Sequence, residues 1–244
     1  MNPHLDDHSK NELNCFAEWT LKIGDGEIRS IIKEYSNNGA WITLPDELLI
    51  NNTGDHFKII FEVVYIDFQH NFAEPFYLRQ RVILTPHNNT VDQLNTYILE
   101  TIPAPMRTYH SSDVISKSST GFSSQNMYPP EVLNVIPFPG IPDHILNLKM
   151  GAVVMLLWPF VLNRKQFPLR LSYTMTINKS QGQTLNFIGI YLPKPIFTHG
   201  QLYVALLKVT SRHGLKILIH DEDVKLTNIT KNVVYREISD NIKR

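Results

Sequence analysis

The sequence predicts an α/β protein with a mostly parallel sheet, on three observations. A short apolar run, Arg81–Thr85 (RVILT), ends at Pro86 and a polar turn and leads into a helical pattern from about Val91 to Leu99. Strand, polar loop and helix in that order form the usual α/β unit, with function at the strand's carboxyl end. The same rhythm returns between residues 153 and 220, where short apolar runs alternate with helical stretches, as in a sheet covered on both faces. Finally, 244 residues with 43% hydrophobic content suffice for a real core.

Along the chain, Asn11–Lys22 reads as a helix with a partial apolar face, stopped by Gly24 and Gly26. Ala40–Leu44 reads as a strand. Asp55–Tyr65 reads as a second helix, entered through the turn Asn-Thr-Gly-Asp. Residues 103–143 carry seven prolines and a Ser/Thr-rich stretch, and read as a long connection without a fold of its own. Val153–Leu157 and Leu169–Thr174 then read as strands, Lys179–Thr184 as the start of a short helix, Phe187–Leu192 as a strand, His199–Leu207 as a helix and Leu215–His220 as a strand. From about Val224 the mixed charge reads as a surface tail. The expected division is a helical segment at 1–75, an α/β domain at 76–223 and a tail at 224–244.

Composition narrows the function. The single cysteine, Cys15, excludes a disulfide framework and a cysteine-rich zinc site. The ten histidines lack metal-binding spacing, so no metal site is expected. The polar, acidic start of the chain does not read as a signal peptide, and the longest apolar run, Gly151–Leu162, is too short to span a bilayer; no membrane partner is expected. Net charge is zero but unevenly spread. Residues 1–143 hold 9 Lys and Arg against 18 Asp and Glu, whereas residues 144–220 hold 9 Lys and Arg and no carboxylate. A basic stretch of that length gives one part of the fold a positive field suited to a polyanion.

The stretch Thr176–Leu185 (TINKSQGQTL) lies where a buried strand meets an expected helix start. Such a junction presents free backbone N–H groups to phosphate. Lys179, Ser180 and Thr184 add donors, and Gly182 lets the backbone come close. A plain polar turn is the competing reading. Thr85 and Asn88 read equally as caps of the helix that follows them. Phe197 and Tyr203 read as core aromatics rather than base-stacking ones.

The wording of this stretch resembles motif V of superfamily-one helicases and, with four more segments, the Pif-one-like group including its Helitron branch. FAEWTLKIGDGEI at 16–28 resembles the segment after motif III. RVILTPHNNTVDQLN at 81–95 resembles motif IV. Residues 128–157 resemble the approach to a second RecA-like domain, and HGQLYVALLKVTSRHGLKIL at 199–218 resembles motif VI and the last core strand. The resemblance implies a RecA-like second motor domain, from the C-terminal half of an ATP-driven 5′-to-3′ DNA helicase. It places Thr85, Asn88, Thr176, Asn178 and Lys179 on single-stranded DNA, Gly182 and Gln183 toward nucleotide, and ATP and Mg²⁺ as cofactors. It further implies a nuclear location and work in repair, recombination or telomere and replication maintenance.

Three departures temper that expectation. The sequence holds no Walker A pattern and no Walker B acidic strand, the groups that hold β- and γ-phosphates and Mg²⁺. A fragment inactive alone, partnered by a Walker-containing half, is therefore expected. Motif VI carries Lys208 where the family has an arginine finger, and lysine lacks the planar fork. Asn163 abuts Arg164 where the family inserts a small β-barrel, so that insertion is expected to be missing. The rival expectation is a non-enzymatic, transposon-derived remnant or a partner-docking protein.

Overall fold

The computed structural model describes residues 7–28, 39–113, 143–156, 164–180, 182, 184–221, 223 and 225–235. The elements in chain order are α1 (Asp7–Gly24), β1 (Ala40–Thr43), α2 (His56–Val64), α3 (Phe68–Asn71), α4 (Pro75–Arg79), β2 (Arg81–Thr85), α5 (Asn88–Thr101), β3 (Arg107–His110), β4 (Ser112–Asp113), β5 (Ile145–Leu148), β6 (Val154–Leu156), β7 (Arg164–Lys165), β8 (Leu169–Leu171), β9 (Thr174–Thr176), β10 (Phe187–Leu192), α6 (Gln201–Leu206), β11 (Leu215–Ile219) and β12 (Ile229–Asn232). They group into two compact units, one of residues 1–98 with 173–244 and one of residues 99–172.

The first unit is built on a four-stranded sheet in the order β11-β10-β2-β9, parallel throughout. Its strands are near-continuous apolar runs; β2 is buried from Val82 onward and β10 from Ile188 onward. Helix α2 packs against β2, β10 and β11. Its first turn is closed by Asp55, whose Oδ1 accepts from the N–H groups of Phe57 (2.9 Å) and Lys58 (3.4 Å). Gly189 in β10 permits the close approach. A Cβ there would stand 2.9 Å from Ile60 Cδ1 and overlap Val64.

Two side chains lock β9 to the rest. Asn95 of α5 donates from Nδ2 to the Thr174 carbonyl (3.0 Å) and accepts at Oδ1 from the Thr174 N–H (2.8 Å). The Tyr65 hydroxyl donates to the carbonyl of Tyr173 (2.8 Å) inside a cluster with Phe61 and Phe68. Burial pushes the Tyr65 hydroxyl's pKa well above its ordinary value, so it stays a neutral donor.

The expected surface tail contains a strand. β12 pairs antiparallel with β1, in the register Ala40↔Asn232 to Thr43↔Ile229. Thr230, Asn232 and Val233 are buried, and Asn232 donates to the Ile23 carbonyl at the end of α1 (2.8 Å). The strand's charged residue, Lys231, takes one of its half-exposed positions.

The second unit holds three antiparallel ladders among its described residues: β3 with β5, β4 with β7 and β6 with β8. Arg107–His110, read from sequence as part of a connection, is therefore strand; its pairing partner lies some 38 residues away and leaves no local signal. The two sides of the expected deletion pair with each other, Val154 opposite Leu171 and Leu156 opposite Leu169. Gln166 anchors the unit by donating to the carbonyls of Tyr109 (3.2 Å) and His144 (3.0 Å).

Candidate nucleic-acid and nucleotide interface

Because the main sheet is parallel, the carboxyl ends of β9, β2, β10 and β11 share one edge. Thr176 and Thr85 are register partners there. Thr85 is 0% exposed and its Oγ1 has no hydrogen-bond partner. Its hydroxyl therefore does not cap α5, and Thr85 lies buried at the strand-end edge. Thr176 is 8% exposed. Asn88, the first residue of α5, is exposed.

After Thr176 the chain makes a 3₁₀ turn over Ile177–Ser180 rather than opening an α-helix. Ile177 and Ser180 face inward, while Asn178 and Lys179 face solvent. The Ser180 hydroxyl, expected to serve phosphate, is buried and donates to the Ile177 carbonyl (2.6 Å). Gly182 follows with φ +84°, a conformation that favours glycine. A Cβ at Gly182 would meet nothing within 4 Å among the described residues, so the space beside the turn is open. Gln183, expected toward nucleotide, lies outside the described residues.

The turn is tied to the segment carrying Lys208. The Leu185 N–H donates to the Lys208 carbonyl (2.8 Å), and the Thr210 N–H donates to the Leu185 carbonyl (3.1 Å). Leu185 and Val209 form a parallel bridge. Lys208 is 8% exposed. At the start of α6, Gln201 is buried and neither atom of its amide has a partner, an orphaned group that sequence reading missed because glutamine is ordinarily a surface residue.

Sequence reading also missed a ring pair. His87 and Phe197 stack with centroids 5.1 Å apart and planes 17° from parallel. Phe197, expected in the core, is 55% exposed. It sits in a proline-bearing loop after β10, where no periodicity could place it. Partial burial, and then the nearby Lys194 ammonium, hold the His87 pKa below its ordinary value. Tyr203 is half-buried, with its ring against Gly24 at the end of α1.

The described residues do not fit a nucleotide–magnesium site by themselves. Among them no group of three or more His, Cys, Asp or Glu could hold a metal ion, and the buried orphan amide of Gln201 is no substitute for a phosphate cradle. Among them, too, no helix is long and apolar enough to cross a membrane.

The four-stranded parallel sheet with its helices fits an α/β, RecA-like fold. The Pif1 helicase crystal structure from Candida albicans superposes with a TM-score of 0.58 at 20% identity, over 96% of this chain and 58% of that one. No family model matches the chain. Curated relatives do: the ATP-dependent DNA helicase PIF1 of Danio rerio is 38% identical over 77 residues, and that of Homo sapiens 46% identical over 61. The chain resembles the C-terminal half of Pif1 DNA helicases. The match covers 32% and 25% of this chain, which spans only 12% and 9% of those relatives.

Proposed function

We propose that this chain supplies the second motor domain of a Pif1-type, ATP-dependent 5′-to-3′ DNA helicase, and that alone it is a salt-sensitive single-strand binder without ATP turnover. One observation carries the reading: exposed Asn178 and Lys179, with Thr176, stand at the strand ends on a turn hydrogen-bonded to the Lys208 segment. Hydroxyl, amide and ammonium groups hold phosphates without reading bases. Asn88 and the Phe197 ring flank them, while Gly182, Gln183 and Lys208 form the face toward ATP and Mg²⁺, which a Walker-containing half would hold. Helitron descent, a nuclear location and work in repair, recombination or telomere maintenance belong to the same proposal.

Titration of labelled oligonucleotide across salt tests it. Binding should weaken as salt rises, and Lys179→Ala should reduce the log–log slope by roughly 0.7. Salt-insensitive binding, or none, refutes the proposal. A second reading, a remnant without enzymatic activity, is favoured by lysine at 208 and the missing Walker patterns. An ATPase assay with single-stranded DNA, in the presence of a Walker-containing first domain, separates the two. Turnover well above a Lys208→Ala control removes the remnant reading.

A further inference from the structure

Two histidines from distant parts of the chain meet face to face. His56 opens α2 and His220 follows the last residue of β11; their rings stack with centroids 4.5 Å apart and planes 25° from parallel. After His220 the chain turns back on itself. The Asp221 N–H donates to the Lys225 carbonyl (2.9 Å), the Lys225 N–H to Asp221 Oδ1 (2.9 Å) and the Thr227 N–H to the Ile219 carbonyl (3.1 Å), while His220 bridges to Leu226. This turn leads into β12, so the stack fastens the start of α2 to the segment that carries the last strand. Both sides line a cavity of about 680 Å³, Asp55 and His56 on one, Lys225 and Leu226 on the other, with Tyr191 of β10.

The surroundings of both rings are arranged around neutral imidazole. His56 stands in the first turn of α2, where the helix dipole opposes a cation. Burial, then the His220 ring, hold its pKa below the ordinary value against the pull of Asp55. His220 is held at both nitrogens, with Nδ1 3.3 Å from the Asp221 carbonyl oxygen and Nε2 3.0 Å from the Tyr191 hydroxyl. A carbonyl only accepts, so the neutral ring keeps its hydrogen on Nδ1 and accepts from Tyr191 at Nε2. Burial, then Asp55, push the Tyr191 hydroxyl up to about 12, so it remains a donor. A second proton on His220, at Nε2, meets that hydroxyl's hydrogen and turns the hydroxyl round. The carboxylates near the pair are already committed. Asp55 Oδ1 accepts from the N–H groups of Phe57 and Lys58, Asp221 Oδ1 accepts from the Lys225 N–H, and Asp223 lies 3.8 Å from Lys225 Nζ. Glu222 lies outside the described residues.

We propose that the His56–His220 stack is an acid-operated latch. With at most one ring charged, it holds the turn at 220–227 against α2. With both charged, like charges face each other at stacking distance and repel. The rings then part, the cavity opens and the turn comes free while the main sheet stays folded. Histidine is the side chain whose charge changes just below neutrality, which sets the working range.

The test follows amide exchange of the full chain at about pH 7.5 and about pH 5.5, corrected for the intrinsic pH dependence of exchange. Protection of the Asp221, Lys225 and Thr227 amides should fall about tenfold on acidification, while that of β2 and β10 holds. His56→Phe keeps a ring to stack but takes no proton, and should abolish the fall. His220→Phe, which also gives up the Tyr191 contact, should abolish it from the other side of the stack, so loss of fold in one variant leaves the other decisive. His87→Gln removes a titrating ring that stacks on Phe197 instead, and should leave the fall intact. A fall that is absent from the parent chain, that persists in either folded phenylalanine variant or that disappears with His87→Gln overturns the latch. An equal fall in β2 and β10 overturns it as well, because acid is then unfolding the whole sheet.

Discussion

The two units differ in how they bury their side chains. In the first, Val82, Ile83, Leu84, Ile188, Ile190, Leu215 and Ile217 are closed in by helices. In the second, Ile145, Met150, Val154, Leu156 and Phe167 are exposed, and Leu146 is the buried apolar residue of its described strands. Parallel strands need cover on both faces and obtain it here from chain segments far apart in sequence. Two-stranded ladders are marginal on their own in water. Stability should therefore concentrate in the unit that carries the strand-end site.

Hydrogen exchange should expose that contrast most sharply. Amides of β3, β5, β6 and β8 should exchange on the order of 10³-fold faster than those of β2 and β10; comparable protection in both sets would end the comparison. A smaller but still large effect is expected from Gly189→Leu, which drives a side chain into Ile60 and Val64. Overpacking should cost about 3 kcal/mol in denaturant unfolding, with little change in exchange of the second unit's ladders.

Asn95→Ala should cost about 2 kcal/mol, because it leaves both backbone groups of Thr174 without their partner. It should also weaken oligonucleotide binding, since β9 positions Thr176. The least effect should come from pH. Burial and the stacked His220 ring hold the His56 pKa below 6.5, and burial and Lys194 do the same for His87. The unfolded chain then binds protons more readily than the folded one, so the contribution is present above about pH 6.5 and fades as pH falls below it. Both histidines lie in the first unit, so its melting should shift with acid while the protection of β3 and β5 amides, corrected for the intrinsic pH dependence of exchange, does not.

Much of the sheet was legible because its strands carry the signal themselves. The expected Arg81–Thr85 and Phe187–Leu192 match the observed strands residue for residue, and α2 differs from its expected span by one residue at each end. Elements whose partners lie far away were not legible. β12 pairs with β1 across nearly the whole chain, and β3 pairs across the proline-rich stretch. The site was half legible. The words of Thr176–Leu185 pointed to the family, yet a positive φ at Gly182 and a 3₁₀ turn decide which of its side chains face solvent. Neither the burial of Thr85 nor the exposure of Phe197 follows from residue type.

The bonds joining Leu185 to Lys208 and Thr210 run between peptide groups alone. Such a splice is indifferent to side-chain identity. The side chain at 208 can change and the two segments stay fastened, so the chemistry of that position is separable from its mechanics. The vulnerable change is different in kind: proline at 185 or 210 deletes a donor and unfastens the segments, however well its ring fits.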